Sequence, residues 1–294
     1  MRCLKCKQPV VFSSLCKKHF IASVEKKVLD TIKKYKLITT KDKVVVGVSG
    51  GKDSLTILYL LQKWKYKVIA VCIDEGIAGY RPSTIEDMKA FCEQYHIPYS
   101  IVSYKEAFGK TLDEMNVLLK EKPCTICGAF RRYLLNKKAR ELGATKLVTG
   151  HNLDDEAQAV LMNLLKHQID LLPRLGPITG MVKDAAFVPR IKPLYFVAEK
   201  EIAAYAFLQG LGVRYVECPN AARSYRAKVG DTLNDIERLY PGGKARLLKQ
   251  FVGKLPLLKK KLQNVPLLRH CQTCDEPCVG DYCKACVLLK QLHR

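Results

Sequence analysis

Residues 44–55 read VVVGVSGGKDSL, a short apolar run that passes through two glycines into a helix-forming segment. The run is rich in β-branched residues, as strands that are buried on both faces are. Gly50 and Gly51 let the backbone approach an anion closely, and the first turn of the following helix offers free N–H groups to a phosphate. Lys52 adds a positive charge, and Asp53 and Ser54 suit the start of the helix as caps. The stretch therefore predicts a strand, a phosphate-binding loop and a helix in direct succession.

A Walker A loop does not account for this stretch. That motif places Ser or Thr directly after its lysine, and a glycine five residues before its second glycine. Here Asp53 follows Lys52, and Val46 occupies the position of the first glycine. A glycine-rich turn that opens an ordinary helix is the alternative, and the phosphate-binding loop is the favoured interpretation.

Similar apolar runs recur along the chain in alternation with helical segments. The predicted strands cover 44–49, 67–74, 98–103 and 146–151, and the helices that follow them cover 53–64, 83–95, 128–142 and 153–166. Further helices are predicted near 23–35, 199–210, 231–239 and 244–262. The alternation predicts an α/β fold with a doubly wound parallel sheet, whose ligands lie at the carboxyl ends of the strands.

Acidic residues lie at or just after the ends of two of these strands. The strand at 67–74 ends in Ile73 and Asp74, and the strand at 146–151 runs into Asp154 and Asp155. Carboxylates in the first turn of a helix at this edge of the sheet would face a bound nucleotide. The alternative is that Asp154 and Asp155 only cap the helix, because negative charge is favourable at a helix N-terminus.

The chain of 294 residues carries a formal net charge of +22. Residues 17–43 hold nine lysines against three acids, and residues 244–269 hold eight basic side chains and no acid. This balance predicts a polyanionic partner, RNA or DNA ahead of a membrane surface, whereas a lysine-rich proteome is the simpler alternative. No apolar run reaches eighteen residues, and the first residues lack the apolar core of a signal peptide. We therefore expect a cytoplasmic protein with no membrane partner.

Two groups of metal-type ligands lie near the ends of the chain. They are Cys3, Cys6, Cys16 and His19 in the first group, and Cys271, Cys274, Cys283 and Cys286 in the second. Pairs separated by two residues fit on a knuckle turn, and two knuckles complete a tetrahedral zinc site. Modules this short have too little core to fold without metal, so two structural Zn²⁺ ions are predicted. Iron in the four-thiolate site and redox pairs are the alternatives, and Cys278 is interpreted as a spare thiol rather than a competing ligand.

Three further cysteines indicate different chemistry. Cys124 and Cys127 stand just before the predicted helix at 128–142, and Cys218 follows VRYVE (213–217), which reads as a strand. A redox pair is one interpretation of the first two, because a helix N-terminus lowers a thiol pKa, and a metal-binding pair is the other. Three thiolates at one edge of the sheet would hold a four-iron cluster with one iron open to bind sulfide. Buried apolar thiols or a third zinc site are the structural alternatives.

SGGKDS at 49–54 resembles the PP-loop of the N-type ATP pyrophosphatases, which cleave ATP between its α- and β-phosphates and activate a substrate by adenylation. The motifs occur in the order CxxC, CxxH, SGGKDS, PCxxCGxxRR, TGHNLDDEAQ, ECP and CxxC…CxxC. That order resembles the tRNA 2-thiouridine synthetases of archaea and bacteria and their eukaryotic cytosolic relatives. The resemblance covers essentially the whole chain. It implies the PP-loop, adenine nucleotide α-hydrolase-like form of the fold, with small N- and C-terminal zinc modules.

The resemblance also implies roles for individual residues. The ATP-binding residues that it implies are Val48, Ser49, Gly50, Gly51, Lys52, Asp53, Ser54, Ile73, Asp74, Gly150 and Asp155. The catalytic residues that it implies are Lys52, Cys124, Cys127, Arg131, Asp155 and Cys218, with the three cysteines as ligands of a [4Fe-4S] cluster. Some members of the family carry a catalytic lysine at the position of Arg131. Because an arginine, with a pKa above about 12, does not act as a general base, Arg131 is expected to stabilise a phosphate or an oxyanion.

The implied function is that of a tRNA sulfurtransferase. It would use ATP and Mg²⁺ to adenylate the C2 oxygen of a uridine at position 34 or 54, and sulfur would then replace that oxygen. The implied partners are tRNA, a second copy of the chain in a homodimer, and a sulfur donor, either a ubiquitin-like protein with a C-terminal thiocarboxylate or free sulfide. The alternatives are another PP-loop tRNA modifier, such as a 2-thiocytidine or lysidine synthetase, and a zinc-dependent RNA-binding protein without catalysis.

The chain is expected to divide into four parts. These are an N-terminal zinc module at 1–22, a catalytic domain at 23–230, a basic helical segment at 231–268 and a C-terminal zinc module at 269–294.

Overall fold

The computed structural model describes residues 1–180, 186–221, 224–261 and 268–292, and a parallel β-sheet lies at its centre. The strands are β1 (Lys43–Val48), β2 (Lys67–Asp74), β3 (Tyr99–Ser103), β4 (Lys146–Thr149) and β5 (Arg190–Ile191). They lie in the order β3-β2-β1-β4-β5, and each neighbouring pair is parallel. The predicted α/β fold with a parallel sheet is confirmed.

Helices fill most of the chain between and beyond these strands. They are α1 (Lys17–Tyr35), α2 (Lys52–Lys63), α3 (Arg81–Gln94), α4 (Tyr104–Phe108), α5 (Leu112–Leu118), α6 (Pro123–Glu141), α7 (Leu153–Leu165), α8 (Glu199–Gln209), α9 (Tyr225–Leu239), α10 (Gly243–Lys261) and α11 (Lys284–Leu292). A short 3₁₀ helix covers Ile169–Arg174. The predicted helices are present, with some ends as predicted and the others displaced by up to six residues.

One displacement concerns the cysteine-bearing helix α6. It begins at Pro123, rather than near residue 128 as predicted. Proline suits the first position of a helix, because the N–H that it lacks has no partner within the helix there. Cys124 and Cys127 therefore lie within the first turns of α6, and not ahead of it.

The prediction of a strand at 213–217 is wrong. Residues 211–218 form neither helix nor strand, and the place beside β4 belongs to the short strand Arg190–Ile191. The side chains of the segment bind to helices instead: Arg214 Nε donates to Asp87 Oδ2 of α3 at 2.8 Å, and the Tyr215 hydroxyl donates to the Ala203 carbonyl of α8 at 3.2 Å. Only Val213 of this segment packs against the helical core, whereas Tyr215 and Val216 are exposed.

Both faces of the sheet are covered by helices. Along β1, Val44, Val46 and Val48 pack into a core with α1, α2, α3 and α8. Val45 packs into a second core, with α4, α5, α6 and α11. All four valines are buried, as in a parallel strand that is covered on both sides. Helices on the two faces confirm the doubly wound arrangement.

A third core lies beside the sheet, where α7, α9 and α10 pack together. Ala157, Leu233 and Leu248 are buried there, one from each helix. Lys244 is buried at the start of α10, and its Nζ lies 2.6 Å from Asp154 Oδ1. Other basic residues of α10, namely Arg246, Lys249, Lys254, Lys260 and Lys261, are exposed. The basic segment is thus anchored by its apolar face and presents its charges to solvent.

The C-terminal module packs against α6. It contains a small antiparallel pair, β6 (Arg269–His270) with β7 (Pro277–Cys278), followed by α11. Glu276 is buried beneath it, where it accepts a hydrogen bond from Asn136 Nδ2 at 3.0 Å and pairs with Arg140, both residues of α6. The module is therefore fixed to the helix that carries Cys124 and Cys127.

The division into four domains stays a prediction. Its boundaries after 22 and after 230 fall within α1 and α9. Within the described ranges, no helix combines the length and apolar character needed to cross a bilayer.

Candidate active site

The phosphate-binding loop closes with hydrogen bonds of its own. Ser54 Oγ accepts a hydrogen bond from the Ser49 N–H at 3.1 Å and donates to the Gly51 carbonyl at 2.9 Å. Gly51 is the N-cap of α2, and no side chain caps that end. The prediction that Asp53 and Ser54 cap the helix is wrong, because the Ser54 hydroxyl shapes the loop and Asp53 binds elsewhere. The first turn of α2 consequently keeps its N–H groups for an anion.

Two glycines allow close packing around this loop. Gly50 has φ of +85°, and a Cβ there would lie 2.1 Å from the Thr84 carbonyl oxygen of α3. A Cβ at Gly150, which follows β4, would lie 2.8 Å from the Ser54 nitrogen. The end of β4 thus lies directly against the start of α2, as expected for the edge at which a nucleotide binds.

Lys52 and Asp53 both have partners at the loop. Lys52 Nζ lies 2.6 Å from Glu199 Oε1 and 3.2 Å from Asp53 Oδ2. Asp53 Oδ1 accepts a hydrogen bond from Asn152 Nδ2 at 3.0 Å. Burial raises the pKa of Asp53, and nearby Asp155 adds to this rise, although Lys52 opposes it. Glu199 of α8 also lies at this site. The sequence alone did not indicate it, because only the fold brings Glu199 and Lys52 together.

The two acids at the start of α7 have different positions. Asn152 is the N-cap, and Asp155 Oδ2 accepts from the Asn152 N–H at 3.2 Å in a capping box. Asp155 Oδ1 also lies 3.2 Å from Arg226 of α9, and its side chain is partly exposed. Asp154 is buried and binds Lys244 and the Glu199 N–H. The capping role is therefore present at Asp155, but Asp155 also faces the site, whereas Asp154 holds α8 and α10 in place.

The end of β2 forms the other side of the loop. Ile73 is buried, and Asp74 Oδ1 accepts a hydrogen bond from the Gly76 N–H at 2.9 Å. Behind it lie Glu75 and Arg81, which are 4% and 2% exposed. A buried pair of charges so close to the loop is a second feature that sequence reasoning missed.

Cys124 and Cys127 lie one turn apart at the start of α6. Cys124 is exposed, and its Sγ lies 3.9 Å from the Asn220 carbonyl oxygen. Cys127 is buried, and Arg131 Nη2 donates to its Sγ at 2.8 Å. Burial raises the pKa of the Cys127 thiol, and the Arg131 charge opposes that rise. The predicted site residues Cys127 and Arg131 are thus in direct contact.

Cys218 lies in a turn near this helix. The turn is closed by a hydrogen bond from the Ala221 N–H to the Cys218 carbonyl at 2.8 Å, and its Asn220 contacts Cys124. Cys218 is partly buried and packs against the same core as Cys127. Among the described residues, the three thiols do not form a set with all sulfurs within 4.8 Å, the spacing that suits a single ion. A four-iron cluster is larger than a single ion, so its ligands lie further apart, and the [4Fe-4S] cluster stays a prediction.

Basic side chains surround the opposite side of the site. His151 Nδ1 lies 2.9 Å from Thr149 Oγ1, and desolvation, followed by the charges of Lys192, Arg226 and other cations, lowers its pKa well below the ordinary value. Lys192 is buried, and its Nζ lies 2.6 Å from Glu156 Oε1. The His151 side chain itself is exposed, and two of the cations near it, Lys192 and Arg226, are each paired with a carboxylate.

The terminal clusters have the geometry of single-metal sites. Cys3, Cys6, Cys16 and His19 form one set, and Cys271, Cys274, Cys283 and Cys286 form the other, with the ligand atoms of each set within 4.8 Å of one another. Individual separations are 3.4 Å for Cys3 Sγ–His19 Nδ1, 3.6 Å for Cys6 Sγ–Cys16 Sγ and 3.7 Å for Cys274 Sγ–Cys283 Sγ. Zn–S and Zn–N bonds of ordinary length give tetrahedron edges of about 3.6–3.8 Å. Both sets therefore fit Zn²⁺, and Cys278 belongs to neither.

Comparison with known proteins places this site in context. A family model described as a PP-loop domain matches residues 21–229. The tRNA-5-methyluridine(54) 2-sulfurtransferase of Pyrococcus horikoshii is 36% identical over 272 residues, which cover 92% of this chain and 86% of the relative. The cytoplasmic tRNA 2-thiolation protein 1 of Dictyostelium discoideum is 37% identical over 297 residues, which cover 98% of this chain and 80% of the relative.

A solved structure is similar over nearly the whole length. The U34-tRNA thiolase NcsA of Methanococcus maripaludis, solved with its [4Fe-4S] cluster, matches with a TM-score of 0.84 at 33% identity. The match covers 99% of this chain and 96% of that one. The names of the solved thiolase and of the Pyrococcus relative give different tRNA positions, 34 and 54.

Proposed function

Because this chain belongs to the PP-loop family and is a tRNA 2-thiolation sulfurtransferase, we propose that it adenylates the C2 oxygen of a tRNA uridine and replaces that oxygen with sulfur. The placement of the phosphate loop and the cysteine pair around one site carries the proposal. Ser49 follows the carboxyl end of β1, while Glu75, just after β2, pairs with Arg131 beside Cys127. Nucleotide activation and sulfur transfer thus have their groups at the same edge of the sheet.

ATP binds along residues 49–54, with its phosphates on the N–H groups at the start of α2. Lys52 exchanges Glu199 for the phosphates as ATP enters. Asp53 and Asp155 are the carboxylates that hold Mg²⁺ there. The raised pKa of Asp53, to which Asp155 contributes, supports this assignment, because a bound cation relieves the repulsion between two neighbouring carboxylates. Val48, Ile73, Asp74 and Gly150 complete the nucleotide site.

Adenylation proceeds by attack of the uridine C2 oxygen on the α-phosphorus. The P–O bond to the β-phosphate breaks, and pyrophosphate leaves toward Lys52 and the positive end of α2, which stabilise its charge. The resulting O2-adenylate converts a poor leaving group into a good one, AMP. Arg131 stays protonated, so it stabilises negative charge on the phosphate or at the C2 oxygen and does not transfer a proton.

Cys124, Cys127 and Cys218 fit the ligand set of a [4Fe-4S] cluster. None of the three is in a disulfide. Two lie in α6, and the turn that carries the third contacts Cys124 through Asn220. When bound, a cluster with three cysteine ligands supplies an iron without a protein ligand, where sulfide can be held for transfer to an activated carbon. Arg131 places its positive charge beside Cys127 and so favours a thiolate ligand there.

The terminal sites hold two structural Zn²⁺ ions, and tRNA binds along the positive surface between them. The exposed cations of α10 contact tRNA phosphates, and their number makes the affinity salt-dependent. Arg190 and Arg226, near His151, receive the phosphates next to the target uridine.

The remaining partners follow from the same proposal. The sulfur donor is a ubiquitin-like protein with a C-terminal thiocarboxylate, or free sulfide. The chain acts as a homodimer in the cytoplasm, a location that the name of the Dictyostelium relative states for that protein. The target uridine is at position 34 or 54 of tRNA.

The proposal is tested by incubating anaerobically purified protein with tRNA, ATP, Mg²⁺ and sulfide, followed by mass spectrometry of the nucleosides. We expect 2-thiouridine together with AMP and pyrophosphate. Transcripts in which uridine 34 or uridine 54 is replaced by cytidine identify the position. If ATP is consumed but neither of these transcripts yields 2-thiouridine, the proposed function is contradicted.

Metal analysis of the same preparation tests the cluster. We expect about two zinc and roughly three to four iron atoms per chain, and loss of the iron in Cys218→Ala. Zinc without iron under strict anaerobiosis would contradict the cluster and leave Cys124, Cys127 and Cys218 as a persulfide relay or as buried thiols.

A further inference from the structure

Glu75 connects two arginines that approach the site from different helices. It directly follows β2 and is 4% exposed. Its Oε2 lies 2.7 Å from Arg81 Nε of α3, and its Oε1 lies 2.9 Å from Arg131 Nε of α6. A single buried carboxylate thus pairs with two guanidinium groups.

Arg81 leads from Glu75 to the nucleotide side of the site. Its Nη1 donates to the Ser49 carbonyl at 2.8 Å, and its Nη2 donates to the Ile73 carbonyl at 2.5 Å. Ser49 begins the phosphate-binding loop, and Ile73 lies at the end of β2. The side chain of Arg81 is 2% exposed, so these hydrogen bonds are shielded from water. Arg81 therefore holds the backbone on two sides of the nucleotide site.

Arg131 leads from Glu75 to the sulfur side. Its Nη2 donates to Cys127 Sγ at 2.8 Å, while its side chain is 46% exposed. An arginine with that exposure keeps several rotamers, and ordering it costs conformational entropy. The fixed carboxylate of Glu75 supplies a second contact, which keeps the guanidinium group on Cys127.

An ordinary core ion pair is the simpler interpretation of these contacts. Buried pairs add little net stability, however, because the cost of removing the charges from water offsets their attraction. Donors of the two arginines also bind Ser49, Ile73 and Cys127, which belong to the site, while Arg81 makes two further hydrogen bonds in the core, to Thr84 Oγ1 and Cys72 Sγ. We infer that Glu75 is a positioning residue that aligns the phosphate-binding loop with Cys127 through Arg81 and Arg131. This inference deepens the proposed function and rests on it.

The first test is the ATP affinity of cluster-free protein, measured by calorimetry without tRNA. Glu75→Gln keeps the size of the side chain and removes its charge. It is expected to raise the Kd for ATP about tenfold, since Arg81 loses a charged partner and Ser49 its fixed position. The control Glu141→Gln removes the exposed pair with Lys138 on α6 and should change the Kd less than about twofold.

The second test is a double-variant cycle on the single-turnover thiolation rate at saturating ATP. Glu75→Gln and Arg131→Gln are each expected to lower the rate roughly tenfold, because the first loosens and the second removes the charged group on Cys127. The double variant should be no slower than Arg131→Gln alone, because Glu75 acts on Cys127 through Arg131. The assay uses saturating ATP, so the weaker ATP affinity that is expected through Arg81 does not lower the measured rate.

Three results would overturn the inference. One is a Glu75→Gln protein that unfolds at a lower temperature but, while folded, has the ATP affinity and the thiolation rate of the wild type. Another is a rate loss in the double variant that equals the product of the two single losses. The third applies to Arg81→Lys, the variant to use where Glu75→Gln does not fold: an unchanged Kd for ATP contradicts the inference. Because ATP affinity needs neither tRNA nor sulfur, these results are distinguishable from failure of the thiolation assay.

Discussion

Lys52 and Glu199 form an ion pair at the phosphate-binding loop, with 2.6 Å between Nζ and Oε1. Lys52 opens α2 and Glu199 opens α8, and the same Nζ lies 3.2 Å from Asp53 Oδ2. Burial lowers the pKa of Lys52, but the two carboxylates outweigh that effect and raise it. The lysine is thus charged and already paired, so in the proposed ATP complex Glu199 would compete with the phosphates for it.

Removal of the Glu199 charge should strengthen ATP binding. We expect Glu199→Gln to lower the Kd for ATP about two- to fivefold, the range for a partly exposed ion pair, because Lys52 no longer has to exchange a carboxylate for phosphate. Calorimetry measures the effect. Glu106→Gln, at an exposed position of α4, is the control and should leave the Kd as it is. Weaker ATP binding in Glu199→Gln would show instead that Glu199 orients Lys52.

The contact of Gly50 with α3 predicts that this loop position admits only glycine. An alanine Cβ there would lie 2.1 Å from the Thr84 carbonyl, and φ is +85°. Gly50→Ala should lower the free energy of unfolding by about 2–4 kcal/mol, the sum of a left-handed backbone and an overpacked contact. Urea unfolding checks this value.

Gly79→Ala separates the two causes. Gly79 also has positive φ, at +69°, but a Cβ there meets nothing within 4 Å. Gly79→Ala should lower the free energy of unfolding only by the cost of the left-handed backbone, about 1 kcal/mol. Equal costs at Gly50 and Gly79 would contradict the contact with Thr84.

The sequence predicted this loop well because its information is local. A β-branched strand, two glycines and a helix start are adjacent in residues 44–55, and they fold together where the sequence places them. The segment at 213–217 is likewise rich in β-branched and aromatic residues, but this composition does not say whether a strand edge is available. The edge beside β4 was taken by Arg190–Ile191, which is too short to read as a strand.

The proposed zinc site in the C-terminal module predicts a contrast between two of its cysteines. Cys286 belongs to the set of four ligands, and Cys278 does not. Cys286→Ser should lower the zinc content from about two ions to about one per chain and destabilise the contact of the module with α6. Metal analysis and thermal unfolding measure both effects. Cys278→Ser is the matched control, and loss of zinc from it would contradict the assignment of the ligands.

His151 predicts a specific dependence of stability on pH. Desolvation and the surrounding cations hold its pKa well below its ordinary value in the folded state. Below a pH of about 6.5 the unfolded chain therefore binds a proton that the folded chain does not. This term lowers the free energy of unfolding as the pH falls through that window. His151→Gln removes the term, so its stability should decline less on acidification than that of the wild type.

Urea unfolding at a series of pH values compares the two proteins. Parallel curves for the wild type and His151→Gln would show that the imidazole titrates alike in the folded and unfolded states.

The parts of the site that the sequence did not indicate are long-range pairs. Glu199 reaches Lys52, and Glu75 reaches Arg81 and Arg131, through the fold. Each of these residues is common in surface helices and loops, and nothing in its immediate neighbours marks it. Cys127 and Asp155 were predicted as site residues because the motifs that contain them fix their type and spacing, and their roles stay predictions.

An isotope label tests whether the C2 oxygen is adenylated. The tRNA carries ¹⁸O at C2 of the target uridine, and the AMP released during thiolation is analysed by mass spectrometry. We predict that ¹⁸O appears in AMP in an amount equal to the 2-thiouridine formed, because that oxygen leaves on the α-phosphorus. Unlabelled AMP formed together with 2-thiouridine would contradict it, since the C2 oxygen would then have departed without ever binding to phosphorus.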